Sequence, residues 1–107
     1  MATTTVPTTI KPDALELARE YDLERELYAI LDKGREMVRG LRAFEVELEP
    51  WAEEGDLCIV VRAVIDPAFE DDPSHYDWKI WRIDQFGVPT GLRFLLPVTP
   101  YGRGNAG

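Results

Sequence analysis

The chain of 107 residues has few of the residue types that build active sites. It contains one cysteine, one histidine and one serine, which are Cys58, His75 and Ser74. A lone cysteine cannot form an internal disulfide, and no Cys or His partner stands at zinc-ligand spacing. Ser74 and His75 are neighbours whose side chains diverge, so we interpret them as a turn residue and a surface histidine. The sequence predicts no catalytic residue, no metal site and no cofactor.

Long apolar runs and basic stretches are also missing. No run approaches the roughly 20 apolar residues that cross a bilayer, and the N-terminus lacks the basic and apolar regions of a secretory signal. Acidic residues outnumber basic ones by 20 to 12, for a net charge of −8, and this charge repels phosphate. We therefore expect a cytoplasmic protein that binds neither nucleic acid nor membrane and favours basic or neutral partners.

The acidic charge is concentrated in the middle of the chain. Between residues 44 and 77, eleven acidic residues outnumber one basic residue, Arg62, for a net charge of −10. The flanking segments, 11–43 and 78–107, carry net charges of −1 and +3. A solvated sheet face explains this pattern in part, because glutamates protect a strand from self-pairing. A surface that docks onto a basic protein also explains it, since opposite fields speed the encounter.

The most strongly patterned stretch is residues 57–66, where five β-branched residues favour a strand. One side of this strand is apolar throughout, which predicts that it faces the core. Residues 44–49 alternate between apolar residues and glutamates, as in a strand with one wet face. Gly55 lies in the turn segment between the two strands, so we expect an antiparallel hairpin. The expected register pairs Leu48 with Leu57, Val46 with Ile59 and Phe44 with Val61.

Two helices are predicted before the hairpin. Pro12 at a first helical position and the acids that follow it predict a short helix through about Glu20. Asp22 as an N-cap predicts that a second helix begins at Leu23, with apolar residues at the three- and four-residue steps of one buried stripe. The stripe consists of Leu23, Leu27, Ile30, Leu31, Gly34, Val38 and Leu41. Gly40 is expected to adopt the left-handed conformation after this helix.

Residues 75–86 have two interpretations. Ser74 followed by Asp77 resembles a capping box, and residues 87–89 resemble a helix stop, so this segment is predicted to be a helix. Its aromatic and β-branched residues prefer strands, which leaves an extended segment open. The helix gives an αββα chain that ends in a short strand over residues 92–96. The extended segment gives a four-stranded meander under the first helices.

One domain of the α+β class is expected. Its N-terminal helices pack on one face of an antiparallel sheet that is built on the central hairpin. The predicted domain spans residues 11–97, a length that buries a core without disulfide or metal support. Residues 1–10 and 98–107 have little to bury and are expected to be flexible tails.

The candidate binding site depends on the predicted third helix. In that helix, Trp78 and Trp81 lie together on one side. Tyr76, Ile80 and Ile83 occupy the other side and face the core. Large aromatic residues on an outer face are typical of protein contacts, although burial of the tryptophans under other elements is the alternative. The predicted partner-binding residues are Trp51, Trp78, Trp81, Glu53, Glu54, Glu70, Asp71 and Asp72.

Two hypotheses for function follow. The favoured one is a small acidic, non-enzymatic interaction module of antitoxin-like or inhibitory type, which masks a basic site on a partner protein or contacts a second copy of itself as a homodimer. The alternative is a ligand-binding or hydrolytic domain whose pocket is lined by carboxylates and tryptophans. The lack of a usable nucleophile or metal set favours the first hypothesis.

Overall fold

An α+β fold is formed by the part of the chain that the computed structural model describes, residues 6–50 and 57–102. The elements in chain order are β1 (Thr8–Ile10), α1 (Pro12–Glu20), α2 (Glu24–Met37), β2 (Leu41–Pro50), β3 (Leu57–Ile65), a 3-10 turn (Pro67–Phe69), α3 (Ser74–Phe86), α4 (Val88–Gly91), β4 (Phe94–Leu95) and β5 (Val98–Pro100). Across these two ranges, none of the helices has the length and apolar content needed to cross a membrane.

The two N-terminal helices match their predicted positions closely. Pro12 opens α1, and Glu20 closes it. Asp22 does not cap α2, because it takes a left-handed φ of 58° and Leu23 occupies the N-cap position without a side-chain bond. The predicted stripe is confirmed, since its central residues, Leu27, Ile30, Leu31, Gly34 and Val38, are buried. Gly40 is confirmed in the left-handed conformation, with a φ of 74°.

The predicted antiparallel hairpin is present as β2 and β3, but its register differs from the expectation. Leu48 lies opposite Ile59, and Val46 lies opposite Val61. The predicted register was therefore wrong by two residues, because Leu57 pairs with Pro50 and not with Leu48. A shift of two residues keeps every side chain on its face. The predicted apolar sides of both strands accordingly meet in the core.

Three short strands extend the sheet through parallel pairing. β1 pairs with β2, while β4 and β5 both pair with β3, on the edge that β2 leaves free. β4 is a shorter form of the strand predicted over residues 92–96. The tails predicted over residues 1–10 and 98–107 are wrong where they include β1 and β5. The ends of those tails, residues 1–5 and 103–107, lie outside the described residues.

The helical interpretation of residues 75–86 is confirmed, but the predicted orientation of the helix is wrong. Trp78, which was expected on the outer side, is fully buried, with 0% of its surface exposed. Tyr76 and Ile80, which were expected to face the core, are 57% and 58% exposed. Trp81 is half-buried against the core. The side of α3 that faces α2 is therefore the side of Trp78.

A notch at Gly34 explains this orientation. The indole of Trp78 packs beside Gly34 and lies 5.7 Å from the ring of Phe44, measured between centroids. Its Nε1–H donates a hydrogen bond of 3.0 Å to the carbonyl oxygen of Ile30. A buried tryptophan needs both apolar contact and a partner for its N–H, and this position supplies both. We call Ile30, Gly34 and Phe44 the Gly34 notch.

Burial extends to both sides of β3. The helix-facing side carries Ile59, Val61 and Ala63 in the main core. On the opposite side, Cys58 and Val60 are 2% and 1% exposed. The mixed side of the strand is therefore covered at this end and is not simply a wet face.

Replacing Gly34 by alanine is expected to destabilise the protein. In an open helical position this change stabilises by about 1 kcal/mol, because alanine has the higher helix propensity. Here the new Cβ would lie 2.6 Å from Cζ of Phe44 and 3.0 Å from Cε2 of Trp78. Overpacking of this kind costs about 1–3 kcal/mol, which urea denaturation measures.

The matched background for this test is Phe44→Leu, which lacks the Cζ atom. The penalty of Gly34→Ala should be smaller in that background, because the two residues are in contact. A wild-type protein that gains stability from Gly34→Ala would contradict the packing of Trp78 against Gly34.

Candidate functional site

The predicted tryptophan centre does not form on the described surface. Trp51, Glu53 and Glu54 lie outside the described residues. Trp78 is in the core. Trp81 is held between Phe86, whose ring centroid is 5.5 Å away in an edge-on arrangement, and Lys33, whose Nζ is 5.9 Å from the indole centroid. The two tryptophans therefore serve packing and do not present an open pair to a partner.

Asp72, one of the predicted rim residues, is used within the fold. Its Oδ1 accepts a 2.9 Å hydrogen bond from the backbone N–H of Ser74, and this bond is the largest cause that lowers the pKa of Asp72. Its Oδ2 lies 3.6 Å from Nη1 of Arg39. The capping box predicted from Ser74 and Asp77 is wrong, because α3 has no side-chain cap bond of that kind. Asp72, the residue before the N-cap Pro73, instead satisfies the N–H of Ser74, the first residue of the helix.

The loop before α3 is tied to the turn after α2. Ser74 Oγ accepts a 3.0 Å hydrogen bond from the backbone N–H of Arg39. His75, expected at the surface, is 5% exposed, and its Nε2 lies 3.1 Å from the carbonyl oxygen of Glu70. Of the three predicted rim acids in this loop, Asp71 is the exposed one. The start of α3 is therefore fixed relative to α2.

The glutamates of β2 are partly neutralised on the sheet face opposite the main core. Arg62 Nη1 lies 2.6 Å from Oε1 of Glu47 and 3.7 Å from Oε1 of Glu45. Lys11 Nζ lies 3.5 Å from the other oxygen of Glu47. The hydrogen bond to Arg62 lowers the pKa of Glu47 and raises the pKa of Arg62, against the opposing effect of burial. Glu47 and Arg62 thus form an ion pair within the fold, while the side chains of Glu45 and Glu49 remain exposed.

The outward side of α3 presents two large side chains among acids. Tyr76 and Ile80 are one helical turn apart, and both are more than half-exposed. Asp77 and Asp84 are exposed as well and fall within the same arc of about 100° on the helix. Lys79 Nζ lies 5.2 Å from the centroid of the Tyr76 ring. We call Tyr76, Asp77, Ile80 and Asp84 the α3 outer face.

Two signals in the sequence pointed to this orientation. Asp77 and Asp84 are seven residues apart, which is two helical turns, so they mark one solvated side of α3. Gly34 interrupts the apolar stripe of α2 and leaves room for a large ring. The positions of these acids, and not the size of the aromatic side chains, mark the solvated side of α3.

Metal-ligand arrangements and similarity to known proteins are two further indicators of function. Among residues 6–50 and 57–102, no cluster of His, Cys, Asp and Glu side chains has the arrangement of a metal site. The α3 outer face combines apolar area with negative charge, which suits a basic and partly apolar surface on another molecule. No protein-family model, curated protein or solved structure matches this chain.

The ion pair between Glu47 and Arg62 predicts a pH-dependent contribution to stability. A carboxyl whose folded-state pKa lies below its ordinary value, here 4.5, stabilises the folded protein above that value. The contribution is lost as the pH falls through the lowered pKa. Glu47→Gln should therefore cost about 1 kcal/mol near pH 7 and progressively less below about pH 4.5, as measured by urea denaturation at each pH.

Glu45→Gln is the matched control, since Glu45 is on the same strand face but lies 3.7 Å from Arg62. Its cost should be smaller near pH 7, because an exposed pair contributes little. A cost for Glu47→Gln that is the same at neutral and acid pH would show that the loss comes from packing and not from charge.

Proposed function

We propose that the protein is a non-enzymatic interaction module whose α3 outer face docks onto a basic segment of a partner protein. The observation that carries the proposal is the exposure of Tyr76 and Ile80 next to Asp77 and Asp84. Neighbouring exposed side chains of this size are typical of the centre of a protein contact, where a few residues supply most of the binding energy. Asp77 and Asp84 supply the polar rim around this centre.

The charge of the chain supports a basic partner. A net charge of −8 attracts a basic surface over a distance comparable to the screening length, which is about 10 Å at 0.1 M salt. Such attraction raises the association rate and orients the partner before contact. The antitoxin-like or inhibitory role and the cytoplasmic location fit this proposal and remain predictions.

Charge also favours a foreign partner over a homodimer. A symmetric contact between two α3 outer faces would bring Asp77 and Asp84 of one copy close to the same residues of the other. Like charges placed together at an interface cost free energy, whereas lysine or arginine side chains opposite them are favourable. The proposal therefore commits to a partner segment that carries basic residues next to an apolar side chain.

The double variant Tyr76→Gln with Ile80→Gln is expected to abolish partner binding and leave the fold intact. Both side chains are exposed, so the melting temperature should change by less than the roughly 4–8 °C that accompanies 1 kcal/mol in a domain of this size. The measurement is recovery of a stoichiometric partner from the source cell by the tagged wild type and by the variant, together with their thermal unfolding.

Tyr28→Gln is the control, because Tyr28 is 42% exposed on α2, outside the α3 outer face. It should recover the partner as the wild type does. With the partner identified, reversing Asp77 and Asp84 to lysine should slow association at least about tenfold at low salt and much less at 1 M salt. Equal recovery by the double variant, or a partner-free protein whose solution mass is that of a dimer, would contradict the proposal.

A further inference from the structure

A cleft lined by basic side chains lies beside the edge of the sheet in this acidic protein. Its volume is about 410 Å³, within the range of small-molecule sites, which is about 300–1,000 Å³. Arg62 of β3 and both Lys79 and Arg82 of α3 line it, with Glu49 of β2 as the acid. The remaining lining residues are apolar: Val60, Leu95, Leu96 and Pro97.

Arg82 is positioned at the cleft by backbone groups. Its Nε–H donates to the carbonyl oxygen of Gly91 at 3.0 Å, and its Nη1 donates to that of Lys79 at 2.9 Å. These bonds fix the plane of the guanidinium and leave further N–H donors of its fork available. Burial lowers the pKa of Arg82. Within the described residues, no carboxylate forms an ion pair with it.

Lys79 is a second cation without an acidic partner in the described part of the chain. Burial lowers the pKa of Lys79, and the nearby charge of Arg82 lowers it further. The contact of its Nζ with the Tyr76 ring, at 5.2 Å, offsets part of this cost. Two partly buried cations that repel each other are stabilised when an anion binds between them.

The charges in the cleft indicate the charge of the ligand. Arg62 is already paired with Glu47, so it adds little attraction for an anion. The two positive charges of Lys79 and Arg82 and the negative charge of Glu49 give the cleft a net charge of about +1. This net charge matches a singly charged carboxylate better than a phosphate dianion. The apolar floor matches a ligand with an apolar body.

We propose that this cleft binds a small organic monocarboxylate with an apolar body, whose carboxylate is held by Lys79 and Arg82. The carboxylate accepts N–H bonds from both cations, and the apolar body covers Leu95, which is 37% exposed. This activity is additional to protein docking through the α3 outer face.

Titration with hexanoate, followed by amide chemical shifts, tests the proposal. Saturable shifts are expected at Val60, Arg82 and Leu95, whereas hexanol, which lacks the charge, and inorganic phosphate, which lacks the apolar body, should give weaker binding. Lys79→Gln should weaken hexanoate binding at least about tenfold, because it removes a charged hydrogen bond. Lys33→Gln, which removes a cation of α2 that does not line the cleft, is the control and should bind hexanoate as the wild type does.

Two further variants separate binding from effects on folding. Glu49→Gln removes a repulsive charge and should tighten hexanoate binding by about two- to fivefold, a gain that unfolding cannot produce. Leu95→Gln should weaken binding of hexanoate more than binding of acetate, because acetate has almost no apolar body. The proposal is overturned if hexanoate causes no saturable shifts, if Lys79→Gln and Lys33→Gln weaken binding equally, or if phosphate binds more tightly than hexanoate.

Discussion

The burial of Trp78 in the Gly34 notch decides how α3 is rotated, and the surface of the protein depends on that rotation. Large apolar side chains surround most of this helix, so amphipathicity alone does not select a buried side. Losing a fully buried tryptophan costs about 3–5 kcal/mol, whereas burying an exposed isoleucine such as Ile80 gains about 1.5–3 kcal/mol. The indole, whose N–H is also bonded to the carbonyl oxygen of Ile30, therefore stabilises the fold more than Ile80 would in its place.

The same rotation sets the two binding surfaces proposed for α3. With Trp78 inward, Tyr76 and Ile80 point away from α2, together with acids on the same arc. Lys79 and Arg82 then point toward the edge of the sheet, where β4 supplies an apolar floor. An acidic surface for a protein and a basic cleft for a small anion thus adjoin on one helix, and Lys79, whose Nζ lies 5.2 Å from the Tyr76 ring, marks the boundary between them.

The sequence predicted those elements whose pattern is local. The bounds of α1, the buried stripe of α2 and the two faces of the hairpin follow from short-range periodicity. β1 and β5 are not predicted by the sequence, because each has three residues and pairs in parallel with a strand that is distant in the chain. The orientation of α3 was not predicted correctly for a related reason. Gly34 and Trp78 are 44 positions apart, so the pattern of α2 shows a gap at Gly34 but does not show which ring fills it.

Hydrogen exchange at the Trp78 indole tests this orientation most directly. Nε1–H of Trp78 is buried and bonded to the carbonyl oxygen of Ile30, so it should exchange only through global unfolding, as slowly as the best-protected core amides. Its resonance is identified by its disappearance in Trp78→Phe. Protection that matches the free energy of global unfolding is the predicted result. Exchange at the rate of a solvent-exposed indole would contradict the orientation of α3 and remove the basis for both surfaces.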